Sequence, residues 1–438
     1  MQYSKYHMNN YRIHIIKTDK FKTVLMKINF KRKIEEHEIT IRRLLSYVLL
    51  NSSKNYQTER ELNIKIEDLY NTGINSTVTR SGKYSILSFM INMLNEKYTE
   101  ENMLENSIAF LKELIFNPNV DNGAFNQKSF DLMKKALKEE IESFKDNPKT
   151  YSKKRLYQET APDTIISYNY RGNLEDLEEI TPESLYDYYK SVIENDILDI
   201  FIIGEVDEEQ IKTIISNAIP NFEREAVSEK HYLDYLPPKE ENEVEEVGDY
   251  NQSNLAISLR FDKLTDFESQ YVLQIFNFIF GGGSESKLFK EVREKNSLCY
   301  SIGASSLLLD RLIVVSAGIE AKSSKLAINL IKQCLQDMKD GKFTTDDIKK
   351  AKTTYINGCK EMMDSPQSII NNYISKEYLG LDLIEDKMKK IKKVTKKMVV
   401  ELACKIEIDT IYLLKGGITN EEDTTNWIRY KYLFWKTR

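Results

Sequence analysis

Arg293 and Tyr300 follow a glycine-rich break and are the side chains of this sequence best suited to chemistry. A guanidinium and a phenol hydroxyl are strong hydrogen-bond donors, and together they can stabilise negative charge developing on a carbonyl oxygen. Leu288, Phe289 and Val292 recur at helical spacing, which predicts that Arg293 ends a helix docked through this apolar stripe. Tyr300 opens a predicted strand over 300–307. The two donors would therefore be held on neighbouring rigid elements.

The break itself consists of Gly281, Gly282 and Gly283, with Ser284 next. A residue without Cβ permits positive φ and close backbone approach, so this run is expected to cap the preceding helix. An isolated arginine and tyrosine at this spacing would more simply be a solvated helix residue and ordinary strand filling. The glycine break and the flanking helix in register favour the functional interpretation.

Hydrolysis by a cysteine nucleophile has little support. Cys299 precedes Tyr300, but no histidine lies near it in the sequence, and a small buried strand residue is the simpler interpretation. The other cysteines, Cys334, Cys359 and Cys404, form no C-x-x-C with it. The sequence thus predicts neither a disulfide framework nor a structural zinc site, and a reducing cytoplasm is the expected location.

Composition limits the partners. The 438 residues include 63 Lys and Arg against 68 Asp and Glu, a formal net charge of −5. Phosphate binding needs a concentrated basic surface, so nucleic acid is not an expected partner. No apolar run approaches the roughly 20 residues needed to cross a bilayer, and the first residues lack the hydrophobic segment of a secretion signal. We therefore expect no membrane partner.

The order of predicted elements repeats. Strand-like segments at 84–93 and 311–318 each precede an amphipathic helix, and a long helix follows in both halves. These long helices reach Asp-x-Pro sequences at 146–148 and 364–366. Between the halves lies an acidic, proline-bearing stretch. The predicted organisation is a domain over 1–225, a linker over 226–250 and a duplicated domain over 251–438.

The glycine run and the residues after it, FGGG and then LFKEVREKNSLCYSI, resemble the carboxy-terminal half of insulinase/pitrilysin-type peptidases, also called inverzincins. Shorter matches such as LYNTG at Leu69 and TPESLYDYY at Thr181 extend the resemblance over nearly the whole chain. It implies an α+β fold of two homologous domains, each a mostly antiparallel sheet with helices packed on it. It also implies that Arg293 and Tyr300 grip the carbonyl of a bound peptide, and that 281–284 bind peptide.

The same family holds zinc on H-x-x-E-H, with a further glutamate later in the chain. The histidines are His7, His14, His37 and His231, and none has another three or four residues after it. His37 lies in a charged run that is more simply a solvated turn.

Alignment by hydrophobic pattern puts Arg43, Ser46 and Tyr47 at the first histidine, the glutamate and the second histidine of the motif, with Glu140 at the later ligand. Arginine cannot lose its proton to bind zinc, and neither serine nor neutral tyrosine is a common ligand. We therefore predict no metal or cofactor in this chain. Glu140 is interpreted as a helix-surface carboxylate paired with nearby lysines.

In this family two such two-domain chains close around a chamber. The resemblance thus implies the non-zinc subunit of a heterodimeric zinc peptidase, in which a zinc-bearing homologous subunit is the partner and a peptide is the substrate. Arg293 and Tyr300 would act across the interface. The alternative is a catalytically inert structural or peptide-binding protein of the same fold. The sequence leaves the peptide and the choice between homodimer and heterodimer open.

Overall fold

The structure is a computed structural model, and it describes residues 1–220, 231, 240–261 and 263–416. The described residues form two compact units. Of the described residues, the first unit contains 1–143, 169–220, 231 and 360–383, and the second contains 144–168, 240–261, 263–359 and 384–416.

The strands of the described residues are β1 (Gln2–His7), β2 (Arg12–Lys17), β3 (Thr23–Lys33), β4 (Gly73–Ser81), β5 (Tyr84–Leu94), β6 (Val120–Asp121), β7 (Ala124–Phe125), β8 (Ile197–Gly204), β9 (Asn242–Val247), β10 (Ser253–Phe261), β11 (Cys299–Leu307), β12 (Leu312–Ile319) and β13 (Ile406–Lys415).

The α-helices are α1 (Glu38–Asn51), α2 (Glu59–Asp68), α3 (Met103–Phe116), α4 (Gln127–Glu142), α5 (Pro148–Thr160), α6 (Leu174–Glu179), α7 (Pro182–Asn195), α8 (Glu208–Ala218), α9 (Leu273–Phe280), α10 (Ser324–Lys339), α11 (Thr345–Met362), α12 (Pro366–Leu379), α13 (Ile384–Lys390) and α14 (Lys396–Ala403). Two π-helical segments, Glu268–Val272 and Phe289–Lys295, precede α9 and β11. Short 3₁₀ turns occur at Glu96–Tyr98, Ser143–Asp146, Leu308–Asp310, Ala321–Ser323 and Ile391–Lys393.

The sheet of the first unit has the order β1-β2-β8-β3-β5-β4. Its strands pair antiparallel except β2 and β8, which are parallel with Arg12 opposite Asp199. β8 is apolar except for Asp199, which forms an ion pair with Arg12, and its burial is that expected for a strand covered on both faces. One face packs on α1, α3, α7 and α8 through the main apolar core, and α12 covers the other face with Ile369 and Ile370.

The sheet of the second unit has the order β11-β12-β10-β13-β9, again antiparallel except for the last pair. This order matches β4-β5-β3-β8-β2 of the first unit strand for strand. The predicted α+β class and the internal duplication are therefore confirmed. The core on one face includes α9, α10 and α14, and Leu156 of α5 packs against the other face.

The acidic stretch expected to be a linker is partly a strand. Residues 242–247 form β9, which pairs parallel with β13. Its Glu246 accepts hydrogen bonds from Tyr151, Tyr412 and Arg155 at 2.6–3.1 Å, which offsets the cost of burying a carboxylate at the sheet edge. Residues 226–230 and 232–239 of the predicted linker lie outside the described residues.

The two Asp-x-Pro sequences mark the places where the chain changes units. Asn147 and Ser365 cap α5 and α12, and Pro148 and Pro366 occupy the first helical turn, where a missing N–H costs nothing. α5 belongs to the second unit and α12 to the first. Each unit thus takes one helix from the other half of the sequence, which the predicted contiguous boundaries do not include.

Most other predicted elements agree with the structure within a few residues. The structure adds a capping box, formed by Thr181 and Ser184, at the start of α7. The strands β1, β2, β4 and β13 were not predicted. Among the described residues, none of the helices combines the length and the apolar composition that crossing a bilayer would require.

Candidate functional site

Arg293 and Tyr300 lie side by side in the second unit. The guanidinium carbon of Arg293 is 6.0 Å from the centroid of the Tyr300 ring. Arg293 is half-buried, whereas Tyr300 is 82% exposed. The sequence predicted that neighbouring elements would present these two side chains, and the geometry brings them together on one surface.

The segment carrying Arg293 is anchored by its apolar side and ends in a tight turn. Leu288 and Val292 are fully buried in the core of the second unit. Ser297 adopts the left-handed conformation, with φ of 52°, and the Leu298 N–H donates to the Val292 carbonyl at 3.1 Å. This turn sends the chain directly from the helix into β11. The helix is π-helical at Arg293, a geometry often found at functional sites.

The outward direction of Tyr300 comes from a β-bulge. Cys299 pairs with Ile319 and Ser301 with Gly318, so Tyr300 is the extra residue and has no partner in β12. A bulge redirects the side chain of the inserted residue. Strand periodicity alone could not indicate this, because a bulge is defined by the partner strand.

The glycine run is required mainly because neighbouring atoms lie where a Cβ would be. Gly281 caps α9, and its carbonyl accepts the Ala304 N–H of β11 at 2.9 Å. A Cβ on Gly281 would lie 2.5 Å from the Ala304 Cβ, and one on Gly282 would lie 2.9 Å from the Asn277 carbonyl oxygen. Of the three glycines only Gly283 has positive φ, at 151°. Gly282, Gly283 and Ser284 border a cleft of about 830 Å³.

The guanidinium of Arg293 forms no ion pair with any described residue, and it lies 4.5 Å from the ring centroid of Phe289. Its N–H donors are thus not consumed by a carboxylate. Burial raises the pKa of the neighbouring Cys299 thiol, although Arg293 acts in the opposite direction. A protonated, buried thiol is a poor nucleophile, which agrees with the interpretation of Cys299 as a structural residue.

In the first unit, three of the four residues at the predicted zinc-site positions contact one another. Arg43 Nη2 donates to both Glu140 oxygens at 2.8 and 2.9 Å, and the Tyr47 hydroxyl donates to Glu140 Oε2 at 2.5 Å. Arg171, which was not predicted here, adds a contact at 3.4 Å. Ser46 does not join this group, because its hydroxyl donates to the Arg43 carbonyl of its own helix.

The expectation that Glu140 pairs with nearby lysines was wrong. Lys138 pairs instead with Glu178, and Lys135 with Glu139. Glu140 faces α1, where Arg43 is available. Burial would raise the pKa of Glu140, but the Tyr47 hydrogen bond and the Arg43 guanidinium outweigh it and hold this pKa below its usual value.

These residues do not fit a zinc ion. A permanently charged guanidinium already satisfies the Glu140 carboxylate, and a second cation there would be repelled. Among residues 1–220, 231, 240–261 and 263–416, no group of three or more His, Cys, Asp and Glu side chains could hold a metal.

The histidines have other surroundings. His14 is buried, stacks on Phe201 and contacts the Tyr3 hydroxyl at 2.8 Å. His231 is buried in the first unit, where its ring nitrogens contact Ser81 Oγ at 2.8 Å and Lys31 Nζ at 3.3 Å.

Comparison with known proteins places this arrangement in a family. The family model described as "Peptidase M16 inactive domain" matches residues 179–355. The protein "Probable inactive metalloprotease YmfF" of Bacillus subtilis (strain 168) is 32% identical over 409 residues, covering 92% of this chain and 95% of that protein.

Solved structures share the fold. A conserved protein from Enterococcus faecalis V583 has a TM-score of 0.90 and 26% identity, with 95% of this chain and 100% of that chain covered. A mutant of the ferredoxin protease FusC, solved in complex with Arabidopsis ferredoxin, has a TM-score of 0.67 and 13% identity, which shows the fold alone. Its match covers 94% of this chain and 44% of that chain. The protein described here therefore belongs to the M16, or insulinase-type, peptidase family, is similar to YmfF, and lacks the H-x-x-E-H motif.

Proposed function

We propose that this chain is the non-zinc subunit of a heterodimeric M16 peptidase. In this role Arg293 and Tyr300 bind and polarise a peptide carbonyl at a site whose zinc is held by a homologous partner subunit. The observation that carries the proposal is the Arg293–Tyr300 pair itself. The two side chains lie side by side, with Tyr300 exposed and Arg293 half-buried, and the guanidinium pairs with no carboxylate among the described residues.

Arg43 in the first unit and Arg293 in the second unit have different contacts. In the first unit Arg43 Nη2 donates to both oxygens of Glu140, so this carboxylate is already neutralised and does not suit a metal. In the second unit Arg293 is held by aromatic rings and its donors remain available.

The position of Tyr300 also suits peptide binding. β11 is the terminal strand of its sheet and pairs only with β12 among the described strands. The loop carbonyl of Gly281 takes the Ala304 N–H, which leaves the edge before Ala304 open. An extended peptide can add to such an edge through main-chain hydrogen bonds. Its carbonyls would then pass close to Arg293 and Tyr300.

In the proposed reaction the zinc of the partner subunit activates the attacking water. Arg293 and Tyr300 orient the scissile peptide and donate hydrogen bonds to the oxygen on which negative charge develops. The four cysteines are free, which suits the reducing cytoplasm that we propose as the location.

The test is reconstitution with a homologous chain that has an intact H-x-x-E-H motif, followed by zinc-dependent cleavage of an unstructured peptide pool. We expect Arg293→Ala or Tyr300→Phe to lower kcat on the order of 10²-fold to 10³-fold without preventing assembly, as for loss of one oxyanion donor. Arg60→Ala and Tyr98→Phe are matched controls, since both side chains are exposed in the first unit. Unchanged turnover in both site variants would refute the proposal.

The second candidate function is a catalytically inert structural or peptide-binding protein, which the closed Arg43–Glu140 site favours. It predicts that the mixed chains bind peptide or each other without zinc-dependent cleavage beyond that of the partner alone. The same reconstitution therefore distinguishes the two.

A further inference from the structure

We propose that Phe289 is a positioning residue for Arg293, an inference that rests on the proposed function. The phenyl ring holds the guanidinium plane in place and keeps its N–H donors available for a peptide carbonyl. The ring is thus part of the peptidase site without touching the substrate.

The first observation is that Phe289 is not a core residue, although helical spacing groups it with Leu288 and Val292. Those two side chains are fully buried in the core of the second unit. Phe289 is half-buried, and its ring packs on the Arg293 guanidinium, with 4.5 Å between the guanidinium carbon and the ring centroid. The sequence pattern therefore assigned the wrong role to this ring.

The second observation is the arrangement of the three side chains. The Arg293 guanidinium carbon lies 4.5 Å from one aromatic ring and 6.0 Å from the other, that of Tyr300. Phe289 is four residues before Arg293 in the same π-helical segment, and Tyr300 is on the bulge of β11. The guanidinium is thus restrained from both elements that form the site.

Stacking and ion pairing restrain an arginine in different ways. A carboxylate partner uses N–H donors, as Glu140 does with Arg43. An aromatic face attracts the cation through its quadrupole and leaves the donors in the guanidinium plane free. A donor that is fixed in advance stabilises developing charge without reorganisation, which is where much of the catalytic effect of such groups arises. Phe289 supplies this restraint.

The stack has a direct spectroscopic signature. In full-length protein labelled with ¹⁵N-arginine, the Arg293 Hε resonance is expected to be displaced upfield by the ring current of Phe289. Arg293→Lys identifies the signal. Phe289→Leu should return it toward the position of an unstacked arginine, and Phe289→Tyr should keep it displaced. An unchanged signal in Phe289→Leu would overturn the inference whatever the activity of the complex.

The kinetic test uses the full-length chain reconstituted with the zinc-bearing homologue and the same peptide pool. Phe289→Leu is expected to lower kcat roughly 3-fold to 10-fold, in line with loss of one cation–π contact, with KM little changed. Phe289→Tyr should restore kcat, because the ring is retained. Phe144→Leu is the matched control, since Phe144 is a half-buried ring that stacks under Lys154 in the same unit.

The outcomes separate the two proposals. If Arg293→Ala lowers kcat but Phe289→Leu does not, the positioning role is overturned and the proposed function stands. If Phe144→Leu lowers kcat as much as Phe289→Leu, or if Phe289→Tyr fails to restore it, the effect is general and the positioning role is again overturned. If Arg293→Ala has no effect on kcat, the positioning role is overturned, and if Tyr300→Phe has none either, the proposed function is overturned as well.

Discussion

Replacing Arg43 by alanine removes the cation that links α1 to α4 and leaves the Glu140 carboxylate with Tyr47 and the more distant Arg171 as partners. The side chains of Arg43 and Glu140 are 16% and 29% exposed, so this pair is neither at the surface nor deeply buried. We expect the substitution to destabilise the first unit.

The magnitude depends on the degree of burial. Exposed ion pairs contribute about 0.2–1 kcal/mol, and truncating one partner of a fully buried pair costs about 3–5 kcal/mol. With both carboxylate oxygens accepting from one nitrogen and partial screening by water, Arg43→Ala should cost about 1–3 kcal/mol. Glu140→Ala should cost a similar amount. The double variant should be less destabilised than the sum of the two, with a coupling energy of about 1–2 kcal/mol.

The assay is a double-mutant cycle measured by urea unfolding, with hydrogen exchange of the α1 amides to assign the loss to the first unit. The matched control is the cycle for Lys135 and Glu139 on the same helix, whose side chains are 75% and 67% exposed and 3.9 Å apart. That control should give no more than about 0.5 kcal/mol. Equal coupling in the two cycles would refute the role of the Arg43–Glu140 pair as a link between α1 and α4.

The coupling between Arg43 and Glu140 should be constant above the ordinary pKa of the glutamate and should be lost in acid. The pKa of Glu140 is lower in the folded protein than its ordinary value of 4.5, so its contribution is complete above that value. It is lost as pH falls through the lowered pKa. The cycle should therefore give the same coupling at pH 7 and about pH 5.5.

Two further predictions concern other parts of the fold. Burial and the Lys31 ammonium lower the pKa of His231 from 6.5 to about 4, so the unfolding free energy should fall by up to about 3 kcal/mol as pH drops through this window. His231→Phe should flatten this dependence in pH-resolved urea unfolding, and an unchanged slope would contradict the assignment. Gly281→Ala should destabilise the second unit by about 1–3 kcal/mol, because the new Cβ would meet the Ala304 nitrogen at 2.8 Å. The control Gly358→Ala, within α11 and with open space around the new Cβ, should stabilise it by up to about 1 kcal/mol; equal effects of the two substitutions in thermal unfolding would rule out the close contact.

Several features of the site can be inferred from the sequence alone. The absence of H-x-x-E-H follows directly from the sequence. The residues aligned with that site, Arg43, Tyr47 and Glu140, are in contact in the structure. Arg43 and Tyr47 are four residues apart on α1, and such helical periodicity is a local property that the sequence encodes directly. The same holds for the segment that carries Arg293. What these residues do to one another depends on how α1 packs on α4, so the partner of Glu140 was predicted incorrectly.

The sequence by itself determined the family, the duplicated order of strands and helices, and the loss of the zinc ligands. Each of these follows from residue types and from patterns between residues close in the chain. Only the tertiary structure decided that Tyr300 points outward from a bulge, that Phe289 stacks on Arg293 rather than filling the core, and that α5 and α12 each join the sheet of the other half. The physical reason is common to all three. Strand register, ring stacking and helix exchange are set by contacts between residues distant in the chain, and no local periodicity encodes them.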